Sequence, residues 1–222
     1  MKKFNLLILI SSIFVSSIFA TTTFAQTEDN QQSFAQLPAP GKNEKVATFA
    51  GGCFWALSEG MSELKGVDKV VSGFAGGKTK NPSYQEVCTK TTGHAESVQV
   101  YYDPSVISFE KLTEAFFYAH DPTTVDRQGP DEGPDYRSVA FYRTPTEKAI
   151  IISVMAKVNA SHHYTNKIVT QVLPYTILYP AEIYHQGYFK THMDNYYITH
   201  VSLVKVMKLR KTMHDELKPE FK

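Results

Sequence analysis

The stretch Val46-Ala47-Thr48-Phe49-Ala50-Gly51-Gly52-Cys53-Phe54-Trp55 decides the fold around it. Residues 46–50 are apolar or β-branched and predict a strand, and the two glycines after them permit a tight turn. Apolar residues then recur at helical spacing until a glycine ends the pattern: Phe54, Leu57, Met61, Leu64 and Gly66. Cys53 is therefore expected at a helix N-terminus, where unpaired backbone N–H groups favour a thiolate over a thiol.

The first 25 residues have the pattern of a secretory signal peptide. Two lysines precede an apolar run over residues 4–19, and Thr23-Phe24-Ala25 has small residues at its first and third positions. The run is short for a bilayer span and is interrupted by serines, so an uncleaved membrane anchor is the less favoured interpretation. We expect cleavage near Ala25 and a periplasmic or secreted protein.

The composition predicts one globular domain after this leader. The 222 residues are 42% hydrophobic and 20% charged, which is ordinary for a single core. The polar segment 26–44 predicts a disordered spacer, and residues 45–222 a single catalytic domain, expected to be a monomer. Removal of residues 1–25 takes away two lysines and no acidic residue from a chain of formal charge +1. The resulting near-neutral charge argues against a nucleic-acid partner, and nothing after the leader implies a membrane.

The remaining pattern predicts alternating strands and helices. Strands are expected over residues 67–74, 96–102, 138–143 and 168–173, and helices over 109–119, 145–162 and 201–217. The residues Asn81-Pro82-Ser83-Tyr84 predict a turn or short helix, and a long loop rich in Gly, Pro and Asp covers 123–136. We therefore expect an α+β fold, a two-layer domain with a mixed β-sheet, a ferredoxin-like βαβ core and long irregular loops.

Glu96 is the strongest candidate for a partner to the cysteine. In the predicted strand 96–102 its side chain alternates with Val98, Val100 and Tyr102 onto one apolar face. Burial disfavours an ionised carboxyl and raises its pKa, so Glu96 is expected to stay protonated near neutral pH. A proton donor beside a nucleophilic sulfur makes a working pair. A rim position with a simple salt bridge fits the pattern equally well.

Cys53 and Cys88 are the two cysteines of the chain. A structural disulfide between them is one interpretation for an exported protein. A domain of this length can bury enough core without a crosslink, and a cysteine that follows two glycines at a helix start is more typical of chemistry. We favour a free nucleophile at position 53.

Five ordered blocks of sequence resemble the peptide-methionine (S)-S-oxide reductases. The blocks are Gly52-Cys53-Phe54-Trp55, Asn81-Pro82-Ser83-Tyr84, Gly93-His94-Ala95-Glu96, Gly129-Pro130-Asp131 with Tyr136-Arg137-Ser138, and Ala181-Glu182 with His185-Gln186. They span nearly all of residues 45–190 in the family's order. The resemblance implies an oxidoreductase that reduces the S epimer of methionine sulfoxide, free or in oxidised proteins, in the repair of oxidative damage.

The resemblance also implies which residues carry the reaction. Cys53 matches the nucleophile that attacks the sulfoxide sulfur, and Glu96 the acid that protonates the oxygen. Tyr84 and Tyr136 match hydroxyl groups that hydrogen-bond to that oxygen. The product would be methionine and a cysteine sulfenic acid, which needs a thiol to restore it.

Other matched residues are expected to bind substrate or to support the site. Phe54 and Trp55 match an apolar pocket for the terminal methyl group, and Asp131 a polar residue that anchors the substrate or a water network. A sulfoxide has a methyl at one end and a strong acceptor oxygen at the other, so it needs an apolar pocket beside hydroxyl donors. Glu182 and His185, three residues apart, are interpreted as structural support on one helix face.

No bound cofactor is expected, and the reductant is expected to be external. Family members that recycle internally usually carry cysteines near the C-terminus, whereas residues 190–222 contain none. We therefore favour a thioredoxin-like protein or a small thiol over Cys88. A second departure from the family pattern, Ala56 in place of a glycine, is expected to have little effect because alanine suits a helix better.

Two functions of other classes remain open from the residues alone. A cysteine hydrolase would use Cys53 with His94 or His185 as the base. A non-catalytic binding module would hold the two cysteines in a disulfide. A metal site is not expected, because the eight histidines do not pair with cysteines or carboxylates in a ligand pattern.

Overall fold

The computed structural model describes residues 33–222, so the predicted signal peptide and residues 26–32 of the predicted spacer lie outside the described residues. Six strands form the main sheet: β1 (Lys45–Gly51), β2 (Val67–Ala75), β3 (Ala95–Tyr102), β6 (Ser138–Tyr142), β7 (Gln171–Pro174) and β8 (Leu178–Pro180). Two short strands, β4 (Arg127–Gln128) and β5 (Asp131–Glu132), pair in a separate hairpin. The α-helices are α1 (Phe54–Ser62), α2 (Tyr84–Cys88), α3 (Phe109–Ala119), α4 (Pro145–Ala160), α5 (Tyr188–Thr191) and α6 (Leu203–Thr212).

The order of strands in the main sheet is β7-β6-β1-β3-β2-β8. Strand β7 is parallel to β6, and the other neighbours are antiparallel. The four central strands, β6-β1-β3-β2, are connected through α1 and α3 in the manner of a ferredoxin-like double βαβ unit. The expected α+β fold with a mixed sheet is confirmed.

Helices α1, α3 and α4 cover one face of the sheet and build the main core with it. Phe49 of β1 lies opposite Val98 of β3 and stacks on Phe116 of α3, with ring centroids 4.7 Å apart. Val98 is fully buried in this core. Strand β3 therefore presents alternate residues to the helices, and the face that carries Val98 also carries Glu96.

The other face of the sheet is covered by loops and by residues 33–44. The amide of Ala35 donates to the carbonyl of Ala181 at 3.0 Å, and Phe34 forms a β-bridge with Glu182. The Tyr101 hydroxyl donates to the Pro38 carbonyl at 2.8 Å. Residues 33–44 thus pack on the domain, which differs from the disordered spacer expected there, because their backbone groups find partners beside the sheet.

The C-terminal third differs most from the predicted elements. The strand expected over 168–173 is observed as β7, which begins three residues later and ends at Pro174. The expected loop 123–136 contains the β4–β5 hairpin and a 3₁₀ turn, Pro134–Tyr136. The helix expected over 201–217 begins earlier, with a π-helical turn at Ile198–Ser202, and α6 ends at Thr212. Among residues 33–222, none of the helices has the length and apolar character needed to cross a bilayer.

Candidate active site

Cys53 lies in the turn between β1 and α1, and close packing of the two preceding glycines sets its position. Gly52 has a φ of +76°, and a Cβ added there would lie 2.3 Å from Cγ of Gln128. A Cβ on Gly51 would lie 2.9 Å from Cγ of His120. Side chains at either position would push these neighbours away. The turn therefore holds Cys53 in a buried position, with 6% of its surface exposed.

Glu96 reaches the start of α1 from the neighbouring strand β3. Its Oε2 accepts a hydrogen bond of 2.9 Å from the backbone N–H of Phe54, the residue after Cys53. The side chain is 2% exposed, and burial raises the pKa of the Glu96 carboxyl to about 8, although the bond from Phe54 acts in the opposite direction. Glu96 is therefore a buried, protonated acid beside Cys53 at neutral pH, and the alternative of a rim salt bridge is wrong.

The Cys53 sulfur is held as a thiol in this site. Burial raises its pKa well above the ordinary value, and the Glu96 carboxylate raises it further. The backbone N–H of Trp55, Lys205 and the Tyr197 hydroxyl act in the opposite direction but are smaller influences. The expectation of a thiolate is wrong for the resting site, because a helix N-terminus stabilises an anion by only about 0.3–1 kcal/mol. Two ionised groups here repel, so ionisation of Glu96 opposes ionisation of Cys53.

The Tyr84 and Tyr136 side chains flank Glu96 from two different elements. Tyr84 is the first residue of α2, whose start is fixed by a capping box between Ser83 and Glu86. Tyr136 ends the 3₁₀ turn that follows β5. Burial and the Glu96 carboxylate raise the pKa of both phenols. Both tyrosines therefore keep their protons at neutral pH and can donate hydrogen bonds.

Phe54 and Trp55 form an aromatic wall next to the sulfur. Phe54 is fully buried, and its ring lies 5.8 Å from that of Phe74 between centroids. Trp55 is half-buried and stacks on Tyr188 of α5 at 4.0 Å with an interplanar angle of 12°. Its indole N–H donates to Nδ1 of His185 at 3.1 Å. Trp55 thus offers an oriented apolar surface with part of its ring exposed.

Glu182 and His185 connect the aromatic wall to α2. Glu182 Oε1 accepts a hydrogen bond of 2.9 Å from the backbone N–H of Tyr84. Its Oε2 lies 3.9 Å from Nε2 of His185, and these two buried atoms have no hydrogen-bond partner among the described residues. Burial lowers the pKa of His185 to about 4, so the ring is neutral. Glu182 and His185 thus contact the Tyr84 backbone and the Trp55 indole, and they lie before and at the end of a 3₁₀ turn, Ile183–His185, rather than on an α-helix.

Asp131 lies at the edge of the site, with two partners from the C-terminal segment. The Tyr197 hydroxyl donates to Asp131 Oδ2 at 2.6 Å, and the Lys205 ammonium lies 3.5 Å from the same oxygen. The Tyr197 side chain also neighbours the Cys53 sulfur and acts on the pKa of its thiol. Asp135 is nearby, and its buried Oδ1 has no hydrogen-bond partner in the described part of the chain.

Sequence reasoning missed Tyr197, Lys205 and Asp135 as members of the site. Tyr197 is one of thirteen tyrosines and lies in no recognisable motif. Lys205 belongs to a helix whose predicted start is displaced by the π-helical turn. Asp135 precedes Tyr136 directly, and this adjacency was the available signal.

The histidines proposed for a cysteine hydrolase are engaged elsewhere. His94 Nδ1 accepts from the amide of Gly77 at 3.1 Å, and its Nε2 lies 2.8 Å from the carbonyl of Thr79. His185 is occupied by Trp55, as described above. The groups that act on the Cys53 sulfur are a carboxyl, a phenol and a lysine. This environment does not support an imidazole base, and the hydrolase alternative is set aside.

Both cysteines are free thiols, with Cys53 buried and Cys88 exposed. Cys88 ends α2, and its thiol neighbours the Tyr84 side chain. The disulfide-linked binding module is therefore wrong for this structure. Within residues 33–222, no group of three or more His, Cys, Asp or Glu side chains is placed to hold a metal ion.

Comparison with known protein sequences points to one family. The family described as peptide methionine sulfoxide reductase matches residues 45–217. Peptide methionine sulfoxide reductase MsrA 1 of Rhodopirellula baltica is 46% identical over 175 residues, which cover 79% of this chain and 90% of that protein. The protein of this name from Thermus thermophilus, MsrA, is 45% identical over 176 residues, or 79% of this chain and 99% of that protein.

Solved structures share the fold as well. Reduced Mxr1 from Saccharomyces cerevisiae matches with a TM-score of 0.65 and 32% identity, over 74% of this chain and 93% of that chain. Methionine sulfoxide reductase A of Corynebacterium diphtheriae matches with a TM-score of 0.63 and 30% identity, over 76% of this chain and 91% of that chain. With the family match over residues 45–217, these similarities show that the chain belongs to the peptide methionine sulfoxide reductases, a family of oxidoreductases.

Proposed function

We propose that the chain reduces the S epimer of methionine sulfoxide, free or in oxidised proteins, to methionine. The observation that carries this proposal is the 2.9 Å bond from the Phe54 amide to Glu96 Oε2, which holds a protonated acid beside the Cys53 sulfur. Reduction of a sulfoxide needs a nucleophile for the sulfur and a proton for the oxygen, and this pair supplies both.

In the proposed reaction the Cys53 sulfur, as a thiolate, attacks the sulfoxide sulfur while the proton of Glu96 passes to the oxygen. The substrate S–O bond breaks, and an S–O bond on Cys53 remains as a sulfenic acid. The substrate sulfur takes two electrons and becomes a thioether, and the cysteine sulfur gives up the same two. The proton lost by the Cys53 thiol restores Glu96, so the site ends the step with its protons balanced.

The surrounding residues support recognition of a methyl sulfoxide. The hydroxyl groups of Tyr84 and Tyr136, which stay protonated, can donate to the oxygen next to Glu96. Trp55 and Phe54 offer an apolar wall for the methyl group. Donors on one side and an aromatic surface on the other distinguish the two epimers, because the wrong epimer would exchange oxygen and methyl. Asp131 is proposed to anchor the rest of the substrate.

An external thiol is proposed to regenerate the enzyme. A thiol attacks the Cys53 sulfenic acid to form a mixed disulfide and water, and a second thiol releases the cysteine as a thiol. The absence of a cysteine in residues 190–222 supports a thioredoxin-like protein or a small thiol as this reductant.

The proposal is tested with the two epimers of methionine sulfoxide offered separately, with dithiothreitol as reductant. We expect turnover of the S epimer only, and complete loss of turnover in Cys53→Ser. Turnover of both epimers, or full activity in Cys53→Ser, contradicts the proposal.

The regeneration step has its own test. In one turnover without added thiol, dimedone trapping and mass spectrometry should find the sulfenic acid on Cys53. A Cys53–Cys88 disulfide as the main product would overturn the external route.

We also propose that the protein is exported as a monomer after cleavage near Ala25. The charged start, the apolar run and the small residues before the cleavage point support this proposal. The full chain expressed in a bacterial host should appear in the periplasmic fraction or the medium with an N-terminus near Gln26. Recovery of the chain from the cytoplasm with Met1 in place, or a dimer mass by light scattering, would contradict it.

A further inference from the structure

Lys205 is a buried cation at the site that the reaction described above does not use. Its side chain is 15% exposed, and its Nζ is buried with no hydrogen-bond partner among residues 33–222. This Nζ lies 3.5 Å from Asp131 Oδ2. The same oxygen accepts the hydrogen bond of the Tyr197 hydroxyl, and the Tyr197 side chain neighbours the Cys53 sulfur. A chain of polar contacts thus runs from Lys205 through Asp131 to Tyr197, the side chain beside the cysteine.

The π-helical turn Ile198–Ser202 explains how both C-terminal residues reach one carboxylate. In a regular α-helix, residues eight apart differ by about 80° around the axis, because each residue advances about 100°. A π-helical turn contains one extra residue, so Tyr197 and Lys205 return to within about 20° of the same direction. Both side chains then point at Asp131, as their contacts with Oδ2 require. Irregular turns of this kind are frequent at functional sites.

The charges around Cys53 make a cation at this position significant. Three carboxyl groups lie at the site: Glu96 on β3, Asp131 on β5 and Asp135 in the 3₁₀ turn. The phenols of Tyr136 and Tyr197 lie beside them. The His120 ring at the end of α3 is neutral. Lys205 is a positively charged group that acts on both Cys53 and Glu96. Without it, a negative sulfur would form among carboxyl groups in a site of low polarity.

We propose that Lys205 is a positioning residue for the reduction: its ammonium holds Asp131 and, through Asp131, the Tyr197 side chain beside the Cys53 sulfur, and it supplies the charge that balances the thiolate. This role rests on the proposed function, since it concerns the sulfur that attacks the sulfoxide. It acts through other residues and needs no contact between Lys205 and substrate.

The test compares Lys205→Met, which keeps the length and removes the charge, with Lys205→Arg, which keeps the charge. Lys211→Met on the exposed face of α6 is the matched control. The rate of Cys53 alkylation by iodoacetamide is measured between pH 6 and 10 by mass spectrometry of the Cys53 peptide. We expect Lys205→Met to move the profile about one pH unit upward, a tenfold slower alkylation at a given pH. Lys205→Arg and Lys211→Met should keep the wild-type profile.

A structural role alone would give a different result. If Lys205→Met leaves the alkylation profile unchanged, or if Lys205→Arg moves it as far as Lys205→Met does, the proposal is overturned. Near-ultraviolet circular dichroism checks the fold of each variant, and Lys205→Gln takes the place of Lys205→Met if the latter does not fold. Alkylation does not require sulfoxide reduction, so its outcome is independent of the epimer assay that tests the proposed function.

Discussion

Replacement of Glu96 by glutamine separates the two effects that this side chain has on Cys53. A glutamine oxygen can still accept the backbone N–H of Phe54, the bond of 2.9 Å that Glu96 Oε2 accepts in the wild type. The start of α1 should therefore keep its geometry. The variant loses the proton donor, and it also loses the carboxylate whose charge raises the pKa of Cys53. Sulfoxide reduction and simple alkylation of the sulfur should consequently respond differently.

The size of each effect follows from the pKa of Glu96, about 8. At pH 7 the wild-type acid is mostly protonated, and its loss should slow reduction about 10²- to 10³-fold, within the range for general acid catalysis. As pH rises through 8, wild-type Glu96 ionises and can no longer donate, so the wild-type rate should fall while the low rate of the variant loses this dependence. Alkylation should be similar in both proteins at pH 6.5. At pH 9 it should be about tenfold faster in Glu96→Gln, because no carboxylate opposes the thiolate.

Single-turnover reduction of the S epimer and alkylation of the Cys53 peptide, each followed across pH, measure the two responses. Glu110→Gln, at an exposed position on α3, is the control and should match the wild type in both assays. Reduction by Glu96→Gln within threefold of the wild-type rate at pH 7 would refute the assignment of the acid. Alkylation at pH 9 that is no faster than in the wild type would refute the electrostatic coupling.

Three further substitutions test the structure behind the site, each by urea denaturation. Gly52→Ala should lower the free energy of unfolding by about 2–4 kcal/mol, because φ is +76° and the new Cβ would meet the Gln128 side chain at 2.3 Å. Arg210→Met should lower the free energy of unfolding by about 3 kcal/mol, because fully buried Glu63 loses its two hydrogen bonds of 2.7 and 2.8 Å from Arg210. The control Arg127→Met, which breaks an exposed ion pair with Glu132, should lower it by less than about 1 kcal/mol. Burial raises the pKa of Glu59 to about 7 from an ordinary 4.5. The stability that protonated Glu59 contributes is therefore fully present below pH 4.5 and is lost as pH rises through 7. Glu59→Gln should lack this loss and be more stable than the wild type at pH 8 by about 1–3 kcal/mol.

Local periodicity and glycine chemistry made the centre of the site predictable. The alternation of β3 placed Glu96 on the face of Val98, and both side chains are buried there. The break from strand to helical spacing after Gly52 located Cys53 at the start of α1. These features depend on neighbours within a few residues, which a sequence displays directly.

The ionisation of Cys53 was not predictable in the same way. The helix N-terminus, visible in the sequence, favours the thiolate, whereas the burial that outweighs it results from the packing of distant elements. Likewise, Tyr197 and Lys205 meet Asp131 only because a π-helical turn changes the direction of the C-terminal helix. Such a turn has no regular apolar period, so the pattern indicated a helix with the wrong start.

The depth of the site serves two opposed requirements. Burial keeps Glu96 protonated near neutral pH, which the reduction of a sulfoxide needs, and the same burial holds Cys53 as a thiol, which the attack does not. A shallower site would ionise Glu96 and lose the acid, and a deeper one without a cation would never release the thiol proton. The positive charge of Lys205 meets both requirements, because a fixed cation near the sulfur favours the thiolate without adding water to the site. A protonated carboxyl group and a thiolate can then coexist in one small, water-poor site, although a carboxyl group ordinarily loses its proton at a lower pH than a thiol does.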